Sequence, residues 1–248
     1  MRLATSIAAL VLTATSAFSA DLDALTDSER DAFRAEVRAY LLQNPEVLME
    51  AIGVLEARQA EAETLRDAQL AQVNYEALTN DGFSFVGGNP EGDVTIIEFI
   101  DYRCGFCRRA HPEVAELVAS DGNIRVITKE FPILGEQSLL ASQFAVATKL
   151  IAGDEVYKDI SDALITLRSD VSPASLSSLA SAYDLDEEAI FEKMRSDEVG
   201  EILAANRALG DRMQISGTPT FVFGDQMVRG YVDLPAMRQI VEQQRSEG

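Results

Sequence analysis

Apolar residues recur at helical spacing in the first part of the chain and form short continuous runs after it. From Thr26 to about Leu78 the pattern predicts helix, capped by Thr26 or Asp27 and broken at Asn44-Pro45, because the residue before proline avoids the helical region. The apolar stripe of the two helices comprises Phe33, Val37, Tyr40, Leu41, Leu48, Ile52 and Leu55. The stripe thins after Leu55, and two interpretations stay open: a stalk that packs against other copies of the chain, which we favour, or a helix packed along the following domain.

Strand signals begin after this helical segment. A short strand is predicted over 83–86, and the β-branched run "VTIIEFI" (94–100) predicts a buried strand. A helix over 110–119 and a strand over 123–133 come next. Strand, helix and strand in this order predict a βαβ unit, in which the two strands are parallel and the crossover is right-handed.

Residues 136 to about 214 are predicted to be almost entirely helical. Helices are expected over 139–151, 155–167, 173–182 and 187–214, the last with at least one break. The stretch "TFVFGDQMVRG" then predicts a hairpin that turns at Gly224-Asp225, and Asp233 is expected to cap a closing helix that runs to about Gln243.

The first 19 residues have the composition of a secretory signal. Arg2 is their only charge, an apolar stretch comes after it, and small residues stand at the end. The apolar stretch is too short to span a bilayer as a helix. We expect cleavage near residue 19 or 20 and export to the periplasm. The predicted organisation is a signal peptide (1–19), an N-terminal helical segment (20–80) and one domain (81–248).

The charge balance disfavours anionic partners. Asp and Glu number 41 against 21 Lys and Arg, which gives a formal net charge of -20. Such a surface repels phosphate backbones and anionic lipid, so no nucleic-acid partner is expected.

The two cysteines of the chain stand together in Cys104-Gly105-Phe106-Cys107. A bridge that closes so short a loop adds little stability, so a structural disulfide is a poor interpretation. Haem attachment requires His directly after the second cysteine, where Arg108 stands. A structural zinc site usually needs four Cys or His ligands, and the chain has two Cys and one His. Redox chemistry is favoured, and binding of copper(I) between the same two soft thiolates stays open.

The placement of the motif suits redox chemistry. Cys104 falls where a strand passes into a helix, and the positive end of the helix dipole favours a thiolate there. Three neighbouring cations favour it further: Arg103, Arg108 and Arg109. Cys107, one turn later, is expected to be more buried and to act as the resolving thiol. The single histidine, His111, is left open between a structural and a catalytic role.

The βαβ unit with Cys-Gly-Phe-Cys opening its helix, followed much later by "SGTPTFVFGD" and a hairpin, resembles the thioredoxin superfamily. Pro219 lies 112 residues beyond Cys107 (219 − 107), with helices between, which resembles the DsbA branch. "IIEFIDYRCGFC" is similar to that branch, including the glutamate at Glu98. This resemblance covers about residues 83–243 and is specific. The helical segment before it resembles, more loosely, the suppressor-of-copper-sensitivity C group.

The resemblance implies an α/β fold: a thioredoxin fold with a DsbA-type helical insertion over about 136–214. It implies that Cys104 is the nucleophile, Cys107 the resolving thiol, Thr218-Pro219 a cis-proline pair facing the disulfide, and Glu98 a buried proton-relay acid. Apolar neighbours of Glu98 agree with burial, which raises the pKa of a carboxyl.

The same resemblance implies a periplasmic thiol-disulfide oxidoreductase with no cofactor other than its own redox-active disulfide. Its partners would be unfolded or misoxidised exported proteins and a membrane redox partner. Separately, the apolar stripe of the N-terminal helices favours a homo-oligomer, and the alternative is a monomer with the helix folded back. Gly105-Phe106 lacks the histidine of strongly oxidising DsbA proteins, which leaves oxidase, isomerase and reductase roles open.

Overall fold

The computed structural model describes residues 25–247, and the predicted signal peptide lies outside this range. The chain divides into two compact units, one ending at Arg58 and the other beginning at Gln59. Within the described range no helix is sufficiently long and apolar to cross a membrane.

The first unit consists of helix α1, Asp27–Gln43, and the beginning of helix α2, Glu46–Val73. Helix α1 starts at the predicted cap, where the Thr26 hydroxyl accepts a hydrogen bond from the Glu29 N–H and the Glu29 carboxylate accepts one from the Thr26 N–H. No residue of α1 is buried. Six members of the predicted stripe are 42–55% exposed: Phe33, Val37, Tyr40, Leu48, Ile52 and Leu55.

The later part of α2 belongs to the second unit and packs on its sheet. Ala71 and, in the short helix α3 (Tyr75–Thr79), Leu78 are buried beside strand residues such as Ile97. The buried Asp67 carboxylate forms an ion pair with Arg229 on the last strand. The stretch around Asp67 and Ala71 is thus packed along the following domain. The stripe before Arg58 is exposed, and the oligomerisation stalk stays a prediction for it.

The second unit is built on a five-stranded sheet with the order β1-β3-β2-β4-β5. The strands are β1 Phe85–Gly88, β2 Val94–Ile100, β3 Ile124–Glu130, β4 Thr220–Phe223 and β5 Gln226–Arg229. Strands β2 and β3 are parallel and joined by helix α4, Gly105–Asp121, as the βαβ pattern predicted. The other three pairings are antiparallel, including the predicted hairpin of β4 and β5.

Strand β1 begins two residues later than the sequence predicted. The Asp81 carboxylate accepts hydrogen bonds from the backbone N–H groups of Phe83 and Ser84, so these two residues form a turn rather than a strand. The end of β3 also differs, because the chain leaves the sheet after Glu130, two residues before Pro132.

The helical insertion consists almost entirely of helices, as the sequence predicted. It contains α5 Glu136–Thr166, α6 Pro173–Ala182, α7 Glu187–Lys193 and α8 Asp197–Arg212. The two helices predicted over 139–167 appear as α5, interrupted at Gly153, whose φ of 86° lies in the left-handed region. The closing helix α9, Leu234–Glu247, begins after Asp233, whose carboxylate accepts from the Ala236 N–H as expected of its cap.

A buried ion pair fastens the segment before β1 to the centre of the sheet. The Lys129 side chain is fully buried; its ammonium donates to the Asp81 carboxylate and, over 2.9 Å, to the Ala77 carbonyl oxygen. Burial acts to raise the pKa of Asp81, but its hydrogen bonds and the Lys129 charge lower it overall. The ion pair therefore stabilises the fold most at pH values at which both side chains are charged.

We predict that Asp81→Asn lowers the free energy of unfolding by ~3 kcal/mol at neutral pH, because it leaves the Lys129 cation buried without its counter-ion. Since the native pKa of Asp81 is lowered, the difference between the two proteins should disappear as the pH falls below the ordinary aspartate value of 3.8. Urea unfolding at several pH values measures it. Asp211→Asn is the control, because its pair with Arg207 is about 60% exposed on both sides and should change stability by less than ~0.5 kcal/mol. Equal losses in the two variants would contradict the prediction.

Candidate functional site

Cys104 is the N-cap residue of α4, at the carboxyl end of β2. Its side chain makes no hydrogen bond to the first turn of the helix. Instead, the Cys104 Sγ donates to the Thr218 carbonyl oxygen at 3.0 Å. Both cysteines are free thiols; Cys104 is 6% exposed and Cys107 is completely buried. The first cysteine is thus the more accessible of the two, as the sequence predicted.

The Thr218–Pro219 peptide bond is cis, as expected from the resemblance. The pair stands directly before β4, and the Pro219 carbonyl oxygen accepts from the Gly230 N–H at the end of the hairpin. The Thr218 Oγ1 is buried without a hydrogen-bond partner in the described part of the chain. The tertiary fold therefore brings Thr218 to Cys104 across more than a hundred residues of sequence.

The three arginines around the motif have partners away from the Cys104 sulfur. Arg108 donates to the carbonyl oxygens of Ile165 and Leu167 at the end of α5, at 2.8 and 3.1 Å. Arg103 donates to the Ser169 carbonyl oxygen, and the Arg109 guanidinium lies 4.1 Å from the centre of the Tyr231 ring. Arg108 and Arg109 thus hold α4 to neighbouring segments, and Arg103 holds the turn before the helix. That the charges of the three arginines also favour a Cys104 thiolate stays a prediction.

Glu98 lies in the middle of β2, opposite Thr128 of β3 and Phe221 of β4, and is 5% exposed. Its Oε1 has no hydrogen-bond partner in the described range. Burial raises the pKa of Glu98 to about 7, and the charge of His111 acts in the opposite direction. Burial likewise raises the pKa of the Cys107 thiol; the Asp101 backbone opposes this increase, and the charge of Glu98 adds to it. The two buried acids are thus close enough to influence each other.

Asp101 is a site residue that the sequence reasoning missed. This fully buried carboxylate accepts from the N–H of Arg103 at 2.8 Å, and from those of Ile133 and Leu134 at 2.8 and 3.0 Å. The Asp101 carbonyl oxygen also accepts from the Cys104 N–H. Asp101 therefore joins the turn that carries Cys104 to the loop after β3. Its signal in the sequence was an acid placed between a buried strand and a turn, where aspartate commonly binds backbone N–H groups.

Glu130, the last residue of β3, was also missed. Its carboxylate accepts hydrogen bonds from the hydroxyls of Tyr102 and Tyr157, both at 2.6 Å, and of Ser142 at 2.7 Å. Burial raises the pKa of Glu130 to about 7 against the opposing effect of these donors. The network connects the residue beside the redox turn, Tyr102, to the helical insertion, and an acid at the end of a buried strand was its only sequence signal.

Two exposed side chains near the motif are apolar. Phe106, between the two cysteines, is 61% exposed, and Leu134 in the loop after β3 is 53% exposed. Among residues 25–247 no group of three or more His, Cys, Asp or Glu side chains is arranged to hold a metal ion. The arrangement offers one accessible thiol, one buried thiol, a buried carboxyl of raised pKa and an apolar rim, which are the parts that thiol–disulfide exchange requires.

Comparison with known proteins agrees with this geometry. A solved thioredoxin-like oxidoreductase from Silicibacter pomeroyi is 36% identical, with a TM-score of 0.65, over 69% of this chain and 97% of that chain. The ScsC structure of Proteus mirabilis in a transitional conformation is 28% identical, with a TM-score of 0.66, over 91% of this chain and 99% of that one.

A curated relative has a different overall description. The Na(+)/H(+) antiporter NhaA 1 of Salinispora arenicola is 30% identical over 158 residues, which are 63% of this chain. The chain spans only about a quarter of that protein, 24% of its length, so the similarity concerns one part of the antiporter.

Two family models match the chain. The model described as copper resistance protein ScsC N-terminal domain matches residues 29–62. The model described as thioredoxin matches residues 80–243, which include all of the strands, both cysteines and the cis-proline. The chain belongs to the thioredoxin family, with the DsbA-like architecture, and is close to the suppressor-of-copper-sensitivity C group.

Proposed function

We propose that the protein is a periplasmic thiol-disulfide oxidoreductase that exchanges disulfides with exported proteins through Cys104 and Cys107. The observation that carries the proposal is the contact between the Cys104 Sγ and the Thr218 carbonyl oxygen above the fully buried Cys107. The more accessible sulfur lies against backbone that an incoming peptide can approach, and the second sulfur is protected inside.

The difference in accessibility between the two sulfurs sets the order of the reaction steps. With the Cys104–Cys107 disulfide formed, a substrate thiolate attacks the Cys104 sulfur, a new bond joins the two, and Cys107 leaves as a thiolate. Glu98 gives a proton to Cys107. A second substrate thiolate then attacks the substrate sulfur of the mixed disulfide, and Cys104 leaves as a thiolate. The substrate dithiol loses two electrons, and the protein disulfide gains them. The same steps in reverse reduce a substrate disulfide.

The surface around Cys104 suits a substrate without fixed structure. Phe106 and Leu134 present apolar side chains at the rim, and apolar side chains are what an unfolded protein exposes. The Thr218 carbonyl oxygen provides a backbone acceptor for an extended peptide. A membrane redox partner would then restore the oxidised or reduced pair, depending on the direction in which the protein works.

The exposed stripe of the first unit supports assembly into a homo-oligomer. Leu48, Ile52 and Leu55 repeat at helical spacing on α2, and they and Val37 on α1 are exposed within the single chain. Burial against other copies would remove this apolar surface from water. Several Cys104 sites around one substrate would favour isomerisation over one-way oxidation.

Copper(I) binding between the two cysteines is the second candidate function. The N-terminal match to a copper-resistance family model favours it, and two soft thiolates suit copper(I). It differs from exchange in one respect that can be tested: holding a metal needs the two sulfurs but not the proton of Glu98.

The two cysteines should behave differently when substituted. We predict that Cys107→Ser retains attack by Cys104 and accumulates mixed disulfides with substrate proteins, because the thiol that resolves them is missing. Cys104→Ser should form none, since Cys107 is fully buried. Non-reducing electrophoresis after acid trapping measures the adducts. Equal trapping by the two variants would contradict the assigned roles.

Glu98→Gln tests the proton donor. The pKa of Glu98 is about 7, so Glu98 carries a proton to donate mainly below pH 7. A substrate dithiol should therefore reduce the Cys104–Cys107 disulfide of the wild type faster below pH 7 than above it. The variant should show no such change with pH, and its rate of disulfide exchange should be about tenfold lower at pH 6.

The same variant distinguishes exchange from copper binding. If the copper tolerance of cells falls together with exchange, exchange is the main role, and unchanged tolerance would favour the copper alternative.

The same variant has a stability signature. The raised pKa means that wild-type stability relative to the variant is highest below the ordinary glutamate value of 4.5 and falls as the pH rises through about 7. At pH 8 Glu98→Gln should therefore be the more stable protein, by an amount on the order of 3 kcal/mol. Chemical unfolding at pH 5 and pH 8 measures the difference. A variant destabilised equally at both pH values would refute the raised pKa.

For the oligomer we predict that the full chain sediments as more than one copy and that Leu48→Glu with Ile52→Glu makes it monomeric. The variant should retain oxidation of a dithiol peptide and lose most isomerisation of scrambled disulfides. Glu50→Gln with Glu56→Gln, on exposed positions of the same helix, is the matched control and should remain assembled. A monomeric wild-type chain at micromolar concentration would refute the assembly.

A further inference from the structure

Glu130 lies at the centre of a closed group of buried hydrogen bonds. Its Oε1 accepts from the hydroxyls of Tyr102 and Tyr157, both at 2.6 Å, and its Oε2 accepts from the Ser142 hydroxyl at 2.7 Å. Glu130 is 3% exposed, and none of the three donors is more than 1% exposed. An ionised carboxylate can only accept hydrogen bonds, so the three hydroxyls are arranged around an ionised Glu130.

Of the three donors, only Tyr102 belongs to the turn that carries Cys104. The Cys104 N–H donates to the Asp101 carbonyl oxygen at 3.0 Å, which closes a four-residue turn with Tyr102 at its second position. The other two donors lie on helix α5, and Glu130 ends strand β3. The Tyr102 ring packs in the core that contains both cysteines. Its hydroxyl is therefore the point at which Glu130 holds the turn from inside the protein.

The position of this turn decides whether the Cys104 sulfur meets the loop before β4. The Cys104 Sγ donates to the Thr218 carbonyl oxygen at 3.0 Å. A sulfur in a disulfide carries no hydrogen, so this hydrogen bond exists only in the reduced protein. In the oxidised protein the covalent bond to Cys107, in the first turn of α4, fixes the Cys104 sulfur. A residue that holds the turn therefore stabilises the reduced pair more than it stabilises the disulfide.

We propose that Glu130 is a positioning residue for disulfide exchange: it holds the Tyr102 hydroxyl, keeps Cys104 at the Thr218 carbonyl oxygen and thereby favours the reduced pair. The inference rests on the proposed function and deepens it, because a disulfide whose reduced form is favoured is a stronger oxidant of its substrates.

Reduction of the Cys104–Cys107 disulfide by glutathione reports this preference. Two glutathione thiols give their protons to the two cysteines and join in a disulfide, and the protein disulfide gains the two electrons that they lose. The equilibrium constant of this reaction falls when the reduced pair is destabilised relative to the disulfide.

Two tyrosine variants separate the turn from the rest of the group. Tyr102→Phe and Tyr157→Phe each remove one hydroxyl that donates to the same Glu130 Oε1 over the same 2.6 Å, and each keeps a completely buried ring. Tyr157→Phe is the matched control, because Tyr157 is outside the turn. Tyr102→Phe also removes a 3.1 Å contact with the Ser161 Oγ. Glu130→Gln is therefore the third variant, since it leaves both tyrosines in place and replaces the charged acceptor by a weaker, neutral one.

Each protein is equilibrated with reduced and oxidised glutathione at pH 7.5, at which Glu130, whose pKa burial raises to about 7, is mostly ionised. We expect Tyr102→Phe to lower the equilibrium constant for reduction about fivefold, the effect of one hydrogen bond, which lowers the reduction potential by about 20 mV. Glu130→Gln should lower the constant about threefold, and Tyr157→Phe should change it by less than about 1.5-fold. The melting temperatures of the two tyrosine variants should fall by similar amounts, because each loses a buried hydrogen bond to Glu130.

Equal changes of the constant in Tyr102→Phe and Tyr157→Phe would overturn the inference, because the effect would then not act through the turn. Melting temperatures that fall while all three constants keep the wild-type value would also overturn it, since Glu130 would then have a structural role only. The same proteins are tested for oxidation of a reduced unfolded protein. A wild type that oxidises none of it overturns the proposed function and this inference with it. A wild type that oxidises it, with variant constants unchanged, overturns the positioning role alone.

Discussion

The parallel pairing of β2 with β3 is the constraint on which the rest of the site depends. Its register, from Val94 opposite Ile124 to Ile100 opposite Glu130, makes both strands end at the same edge of the sheet. The loops that leave the two strands must then meet at that edge. Asp101 after β2 binds the N–H groups of Ile133 and Leu134 after β3, and Tyr102 reaches Glu130. The redox turn is held between these contacts before any substrate arrives.

Three ionisable side chains are buried along these two strands, and the protein treats them differently. Lys129 has a counter-ion in Asp81. Glu130 has three hydroxyl donors. Of these three residues, only Glu98 has a side-chain oxygen without a hydrogen-bond partner among residues 25–247. Burying a carboxyl without compensation is costly. The contacts of Lys129 and Glu130 compensate for their burial, and no such contact compensates the Glu98 Oε1, which is the reason that the proposed function assigns Glu98 the proton transfer.

Burial distinguishes the two sulfurs, since Cys107 is completely buried and Cys104 is 6% exposed. The arginines that flank the motif in sequence hold α4 to the end of α5 and to Tyr231. This keeps the helix fixed against the insertion, so that Cys104 meets Thr218 while Cys107 stays in the core formed with Ile100 and the insertion helices. The insertion thus packs against the core that contains both cysteines.

The sequence by itself determined the local part of this picture. The cap at Thr26, the break at Pro45, the β-branched run of β2, the hairpin at Gly224 and the separation of the two cysteines all depend on residues within a few positions of one another. Helical and strand periods are therefore visible without a fold. The cis-proline pair was found from a resemblance and not from any local rule.

Only the tertiary structure decided which distant groups meet. Asp81 turned the predicted start of β1 into a turn by binding two N–H groups, and Asp101 and Glu130 became part of the site through partners on other segments. The partners of the three arginines likewise depend on how α4 and the turn before it pack on neighbouring segments. Hydrogen bonds and burial between segments leave no periodic trace in a single sequence, because either partner alone is compatible with many environments.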